Sequence, residues 1–356
     1  MYQIGVVGCG FFARNHLEAW GGIDDVSVVA VCDLDPARLD RAATRWPGVR
    51  GYPDAAGMLA RERLDFVDIV TAAPSHRALV EQVAAAGAAV ICQKPFAPSL
   101  EDARAMVAAC ARAGVPLMVH ENFRFQRPIL ELKKVVESGR LGAPTYARIR
   151  FRHACDIYAG QPYLLEEERL AIMDVGVHLL DVARFLLGEA ETVFCRTQRI
   201  DPRVAGEDSV SITLEHEGGA VSLVDFSFAT IQEPDPFPQT LIRIEGERGT
   251  AQLLEGYRLE VSGGGVPIEV RDVEPPVPAW GGRPWHLIED SVITIQRHWI
   301  DCLKTGREPA TSGADNLKTL ELVFAAYDSA SARGTAHQSA SALGTASESA
   351  RAGGGA

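Results

Sequence analysis

A chain of 356 residues is longer than one hydrophobic core usually organises, so two domains are expected. Hydrophobic residues make up 47% and charged residues 23%, the balance of a soluble globular protein rather than a disordered one. The formal net charge of −12, with no basic run against it, argues against nucleic acid or an anionic membrane as partner. No apolar stretch reaches the roughly 18 residues of a membrane span. The opening MYQIGVVGCGFFARNH lacks a charged n-region and does not read as a secretory signal. Cys9, Cys32, Cys92, Cys110, Cys155, Cys195 and Cys302 are scattered and never spaced as CxxC, which favours reduced core thiols in a cytoplasm over a disulfide framework or zinc site.

In chain order, apolar runs at residues 4–7, 26–32, 66–70, 89–92 and 117–119 predict strands. Helical patterns at 13–20, 36–46, 76–86 and 100–113 alternate with them. The runs are continuous rather than alternating, as in strands covered on both faces, so a doubly wound parallel sheet is expected. After about residue 128 the rhythm changes. A helix over 129–138 leads to a strand over 145–152, then a helix over 176–187 stops at Gly188. Strands follow at 191–198, 209–216, 220–228, 240–246 and 251–254, with weaker ones at 258–262 and 268–273. Gly-Gly pairs at 218–219 and 263–264 separate some of them, so this second sheet should be large, open and mostly antiparallel, within an α+β domain. Helices over 287–305 and 315–331 close the fold. The expected division is 1–122, then 123–331 with its last helix available to pack on the first domain, then an Ala/Ser/Gly/Thr tail over 332–356. That tail should be disordered or a frayed helical extension, because it buries too little to offset its ordering entropy.

Gly8-Cys9-Gly10-Phe11-Phe12-Ala13 ends the first strand and opens the first helix. Gly8 permits a tight turn and Gly10 lets the backbone approach a pyrophosphate. Ala13 keeps helix close to strand, and the helix N-terminus offers free N–H groups to phosphate. Asp33 closes the second strand, where a carboxylate accepts from ribose hydroxyls and repels a 2′-phosphate. NAD is therefore expected over NADP. Asp33 as a mere helix cap is less attractive, because Asp35 before Pro36 fits that position better.

Two further constellations bear chemistry. Cys92-Gln93-Lys94-Pro95 lies at the carboxyl end of the strand over 89–92, where ligands of open parallel sheets bind; alone, Lys94 reads better as a solvated surface charge. Asp174 and His178 stand four apart at a helix start and share a face, with Gly176 leaving room between them for a ligand or close backbone. A carboxylate and an imidazole so placed suggest an acid–base pair, or else a cap and a hydrogen-bonded histidine at a domain interface. Glu121, Asn122 and Arg124 follow the strand over 117–119. Asn122 and Arg124 suit sugar hydroxyls, or equally anchor the crossover between domains. Tyr163, with Asp156, Tyr158 and Trp285, is a weaker pocket candidate.

The order GxGxxA, strand–QKP, DxGxH resembles the Gfo/Idh/MocA family, the glucose–fructose oxidoreductase and inositol dehydrogenase relatives, over roughly residues 1–330. The resemblance implies a Rossmann domain and NAD-dependent oxidation of a sugar or polyol. Lys94, Asp174 and His178 would surround the nicotinamide. Gln93 stands where the family usually has Glu, keeping hydrogen-bonding capacity without the charge. The loop Thr71–His76 would face the cofactor through Ala73 and His76, although His76 reads equally as a surface residue of its helix. A homodimer or homotetramer through the second sheet is also implied. Stretches such as Gln93–Pro98, Val119–Gln126, Asp235–Pro238 and Ser312–Lys318 narrow the resemblance to members that oxidise a pentose at its anomeric carbon to a lactone. On this reading His178 is the general base, Asp174 orients it or bonds a substrate hydroxyl, Lys94 stabilises charge on oxygen, and no catalytic metal is needed. Rival readings are an inositol or other aldose dehydrogenase, an NAD-retaining hydrolase or lyase, and a cofactor-binding sensor without turnover.

Overall fold

The computed structural model describes residues 1–332 and the pair 337–338. The chain forms two compact units: residues 1–122 with 289–317, and residues 123–288 with the described residues from 318 onward.

The first unit alternates β1 (Tyr2–Val7), α1 (Ala13–Gly21), β2 (Val26–Cys32), α2 (Pro36–Arg45), β3 (Arg50–Tyr52), α3 (Ala55–Arg61), β4 (Phe66–Ile69), α4 (His76–Ala85), β5 (Ala89–Gln93), α5 (Leu100–Ala113) and β6 (Leu117–His120). Its six strands pair parallel in the order β3-β2-β1-β4-β5-β6, the doubly wound sheet expected from the apolar runs. Strands β4, β5 and β6 are buried throughout, which explains why their sequences do not alternate. Asp35, Asp54 and Ser99 cap α2, α3 and α5 through their side chains. The strand β3 and helix α3 do not stand out in the sequence, because β3 is a three-residue edge strand with two exposed positions and α3 has only seven residues.

Residues 289–317 complete this unit. Trp299 is wholly buried and meets the ring of Phe66 edge-on at 5.8 Å, and Ser312 bridges to Met118 beside β6. A buried polar cluster lies beneath the start of α1. Asp68 of β4 accepts from Trp20 Nε1 at 2.7 Å and lies 2.8 Å from His16 Nδ1. Hydrogen bonding is what makes a carboxylate tolerable there.

The second unit holds α6 (Arg127–Glu137), β7 (Pro144–Arg152), α7 (Val177–Leu187), β8 (Ala190–Gln198), β9 (Ser209–His216), β10 (Val221–Ser227), β11 (Leu241–Gly246), β12 (Gly249–Leu254), β13 (Arg258–Gly263) and β14 (Val266–Asp272). The strand order is β14-β13-β12-β11-β7-β10-β9-β8. All neighbours are antiparallel except β7 and β10, between which the chain crosses by way of α7, β8 and β9. Helix α7 is buried on nearly every side, as its almost uninterrupted apolar sequence requires. Helix α8 (His286–Thr305) enters the first unit at Glu289, and α9 (Gly313–Ser331) begins in the first unit and ends in the second. Of the tail, residues 333–336 and 339–356 lie outside the described residues. The pair between them corrects the expectation of disorder at those two positions. His337–Gln338 forms β15 on the open edge of β8, which offers unpaired backbone groups to any passing segment.

Candidate active site

The glycine loop is built as its sequence demands. Gly8 has φ +97°, and a Cβ there would lie 2.5 Å from Val70 O, so only glycine fits. A Cβ on Gly10 would meet nothing nearer than Arg38 Nη1 at 3.8 Å, which leaves that face of the loop open for a ligand. Ala13 begins α1 and is buried against the sheet, whereas Phe11 is exposed. Phe12 at the N-cap gives no side-chain bond and no acidic residue occupies the first turn, so the leading N–H groups suit an anion.

Asp33 is buried, and both its oxygens are engaged. Oδ2 accepts from Cys9 N at 2.7 Å and Oδ1 from Asp35 N at 2.9 Å, while Arg38 Nη1 stands 3.6 Å away. The carboxylate therefore ties the glycine loop to the end of β2 and still has lone pairs for a ribose. Asp35, not Asp33, caps α2 by accepting from Ala37 N at 2.9 Å. Burial and then the charge of Asp33 push the Cys9 thiol up to about 12, so it stays protonated.

Lys94 directly follows β5, half-buried, with a cis bond to Pro95. Gln93 is buried, and its Oε1 accepts from Lys94 N at 3.0 Å. The amide that replaces the usual Glu thus caps the turn carrying the lysine. The loop before α4 forms a 3₁₀ turn over Ala73–Ser75. His76 is wholly buried, with Nδ1 3.1 Å from Phe96 O and Nε2 3.0 Å from Thr71 O. This corrects the reading of His76 as a surface residue, because the imidazole is enclosed. It ties the loop after β4 to the loop after Lys94. Burial lowers its pKa, against the opposing pull of the carbonyls.

In the second unit, Asp174 stands on a π-turn, Ile172–Gly176, that runs into α7. Such turns recur at functional sites. His178 is buried and stacks on Phe123, centroids 3.9 Å apart and planes 2° apart, which fixes its ring plane. Gly176 has a different role from the expected one. A Cβ there would lie 2.9 Å from Phe226 Cζ, so the glycine makes room for a core aromatic rather than a ligand. Tyr163 is exposed and donates to Gln161 Oε1 at 3.0 Å. Although the residue as a whole is exposed, desolvation at its hydroxyl, then the charge of Asp174, pushes that phenol up to about 12. Tyr163 and Asp174 therefore share one electrostatic environment.

The chain is 51% identical to the D-apiose dehydrogenase of Rhizobium rhizogenes over 326 residues, covering 92% of this chain and 94% of that protein. It is 52% identical to the D-apiose dehydrogenase of Paraburkholderia graminis over 91% of this chain and 86% of that one. The chain belongs to the Gfo/Idh/MocA oxidoreductase family. The family's NAD-binding Rossmann fold matches residues 2–121 and its C-terminal domain residues 129–252. An oxidoreductase of Agrobacterium radiobacter, solved with NAD⁺, L-tartaric acid and magnesium, superposes with a TM-score of 0.93 at 49% identity over 95% of this chain and 98% of that one. The chain is accordingly an NAD-dependent sugar dehydrogenase.

The sequence left Arg124 either to sugar hydroxyls or to an anchoring role, and the structure places it in a buried ion pair. Its guanidinium forks onto Asp181 of α7, Nε to Oδ2 at 2.7 Å and Nη2 to Oδ1, with Thr319 also donating to Asp181. Both groups are buried, so taking Arg124 to a substrate would strand a carboxylate in the core. Asn122 is likewise buried and donates to Ser291 Oγ at 2.7 Å, an anchoring contact within the first unit. Asp156 accepts from Tyr158 N and Ala159 N in a local turn, Tyr158 is buried, and Trp285 packs edge-on against Phe237.

Sequence reasoning missed His153, just past the end of β7. It is buried among Phe151, Phe228 and Phe237, and neither ring nitrogen has a hydrogen-bond partner. Burial lowers its pKa to about 4, against the opposing charges of Asp235 and Asp174. Between about pH 6.5 and 4 the unfolded chain binds a proton that the folded one refuses. Stability therefore falls as pH falls through that window, by up to about 3 kcal/mol from this group. His153→Phe keeps the aromatic packing, so its urea midpoint should drop less than the parent's between pH 7 and pH 4.5. Equal drops would show that His153 contributes nothing to acid sensitivity.

Proposed function

We propose that the protein oxidises D-apiose at its anomeric carbon to the lactone, with NAD⁺ as acceptor. The observation that supports this most is the identity of about half of all residues with two D-apiose dehydrogenases, across nearly the whole chain. In this reading the first unit binds the cofactor and the second the sugar. Bound NAD⁺ supplies the hydride acceptor, the nicotinamide C4. The leading N–H groups of α1 and the open face of Gly10 hold the pyrophosphate, and Asp33 holds the adenosine ribose. His178 takes the proton of the anomeric hydroxyl, since an imidazole works near neutral pH. Asp174 bonds that imidazole or a neighbouring hydroxyl. Lys94 donates to the anomeric oxygen as negative charge develops there. The sugar thereby loses one hydride and one proton, leaving lactone and NADH.

Exposed apolar residues on the edge strand β14, Val266, Ile268 and Val270, support a homo-oligomer through the second sheet, which light scattering tests. The activity itself is tested by incubating the protein with NAD⁺ or NADP⁺ and a panel of aldoses, lactols and inositols. NADH should form fastest with D-apiose, and NADP⁺ should be a poor substitute because Asp33 repels its 2′-phosphate. Faster turnover of an inositol, or equal use of NADP⁺, would contradict the reading.

A further inference from the structure

The π-turn under Asp174 is held from outside by a brace that no catalytic motif contains. We propose that Glu207, held in turn by Tyr327, is a positioning residue for Asp174. This rests on the assignment of Asp174 to the chemistry made above.

The segment leading into the turn is first stitched to the loop before β9. Ala205 N donates to Leu165 O at 2.9 Å and Ala171 N donates to Glu207 O at 3.1 Å. Gly206 lies so close to this segment that a Cβ would sit 2.6 Å from Glu167 O and 2.7 Å from Glu168 O. The carboxylate then caps the turn itself. Glu207 Oε1 accepts from Ile172 N, the first residue of the turn, at 2.9 Å. A leading N–H has no partner within its own helix, so this bond decides where the turn begins. The same oxygen accepts from the hydroxyl of Tyr327 on α9 at 2.9 Å.

Each end of the brace is fixed. Asp208, fully buried, accepts from Ile200 N and Asp201 N, both at 2.7 Å, and so locks the loop that carries Glu207. The Tyr327 ring lies under the Arg169 guanidinium at 5.3 Å. Burial, then the charge of Glu207, raises the Tyr327 phenol well above its ordinary range, which keeps it a proton donor. A π-turn is a rare single-turn insert in a helix, and here Glu207 supports its first N–H from outside. Loss of the brace lets the turn relax and moves the Asp174 carboxylate two residues further on.

The test uses the full chain with NAD⁺ and D-apiose. Glu207→Ala should lower kcat by about 10-fold, because small misplacements at a reacting centre are costly. KM for NAD⁺ should stay unchanged, since the cofactor is held in the other unit. Glu207→Gln retains an acceptor for Ile172 N and Tyr327 and should restore most of kcat. The deciding readout is a cycle with Asp174→Asn. If Glu207 acts through Asp174, Glu207→Ala should cost nothing further in that background. An equal loss in both backgrounds, or an unchanged kcat with only a lowered Tm, would overturn the proposal. If Glu207→Ala does not fold, Tyr327→Phe gives the same answer: a loss in the parent that is absent with Asp174→Asn supports the brace, and no loss contradicts it. Full turnover by Asp174→Asn alone would instead remove Asp174 from the chemistry, and the purpose of the brace with it.

Discussion

Replacing His178 by Ala is expected to remove most turnover, about 10²–10⁴-fold, while NAD⁺ affinity stays within a few-fold of the parent. The two effects separate because the groups lie in different units. Gly8, Gly10, Ala13 and Asp33 belong to the first, and His178 opens α7 in the second. Ala also removes the ring that stacks on Phe123, so some loss of stability should accompany it. His178→Phe separates the two contributions, because it keeps an aromatic ring against Phe123 but cannot take a proton. It should be as inactive as the Ala variant. The pH profile of the parent should rise through an ionisation that both variants lack. If either variant binds NAD⁺ and turns over within a few-fold of the parent, His178 is a packing residue.

Lys94→Ala should cost at least as much, about 10³-fold in kcat, equivalent to roughly 4 kcal/mol of barrier. The ammonium is the one positive charge assigned to the reacting oxygen, and water replaces a positioned donor poorly. Gln93 Oε1 accepts from the backbone N–H of residue 94, a bond the substitution leaves in place, so the turn should survive. Lys94→Met, which keeps the side-chain length without the charge, should match Ala. Activity of the Met variant near that of the parent would assign Lys94 to cofactor packing instead of charge stabilisation.

The parts of this protein legible in its sequence are those where local chemistry dictates the answer. Strands covered on both faces are mostly apolar, and runs of that kind mark β1, β2, β4, β5 and β6. Gly8 must take a left-handed conformation, and Asp35 before Pro36 must cap α2; both do. The illegible parts depend on what faces a residue across the fold. Arg124 could be read as meeting a sugar or as an anchor, and only the fold brings Asp181, 57 residues later, to face it on α7. His76 at the start of a helix looked exposed, yet the loops after β4 and β5 close over it. Gly176 seemed to leave space for a ligand, and the ring of Phe226 occupies that space. The π-turn has no periodicity of its own over five residues, so neither it nor its support from Glu207 could be read in advance. Short edge elements such as β3 and α3 bury too little to leave a pattern.

The fate of the anomeric hydrogen tests the central claim most directly. D-apiose carrying deuterium at its anomeric carbon is incubated with the protein and NAD⁺, and the NADH formed is examined by mass spectrometry. Direct hydride transfer predicts one deuterium per NADH, held at nicotinamide C4, with lactone formed in equal amount. Unlabelled NADH, or consumption of the sugar with no NADH accumulating, would contradict the account.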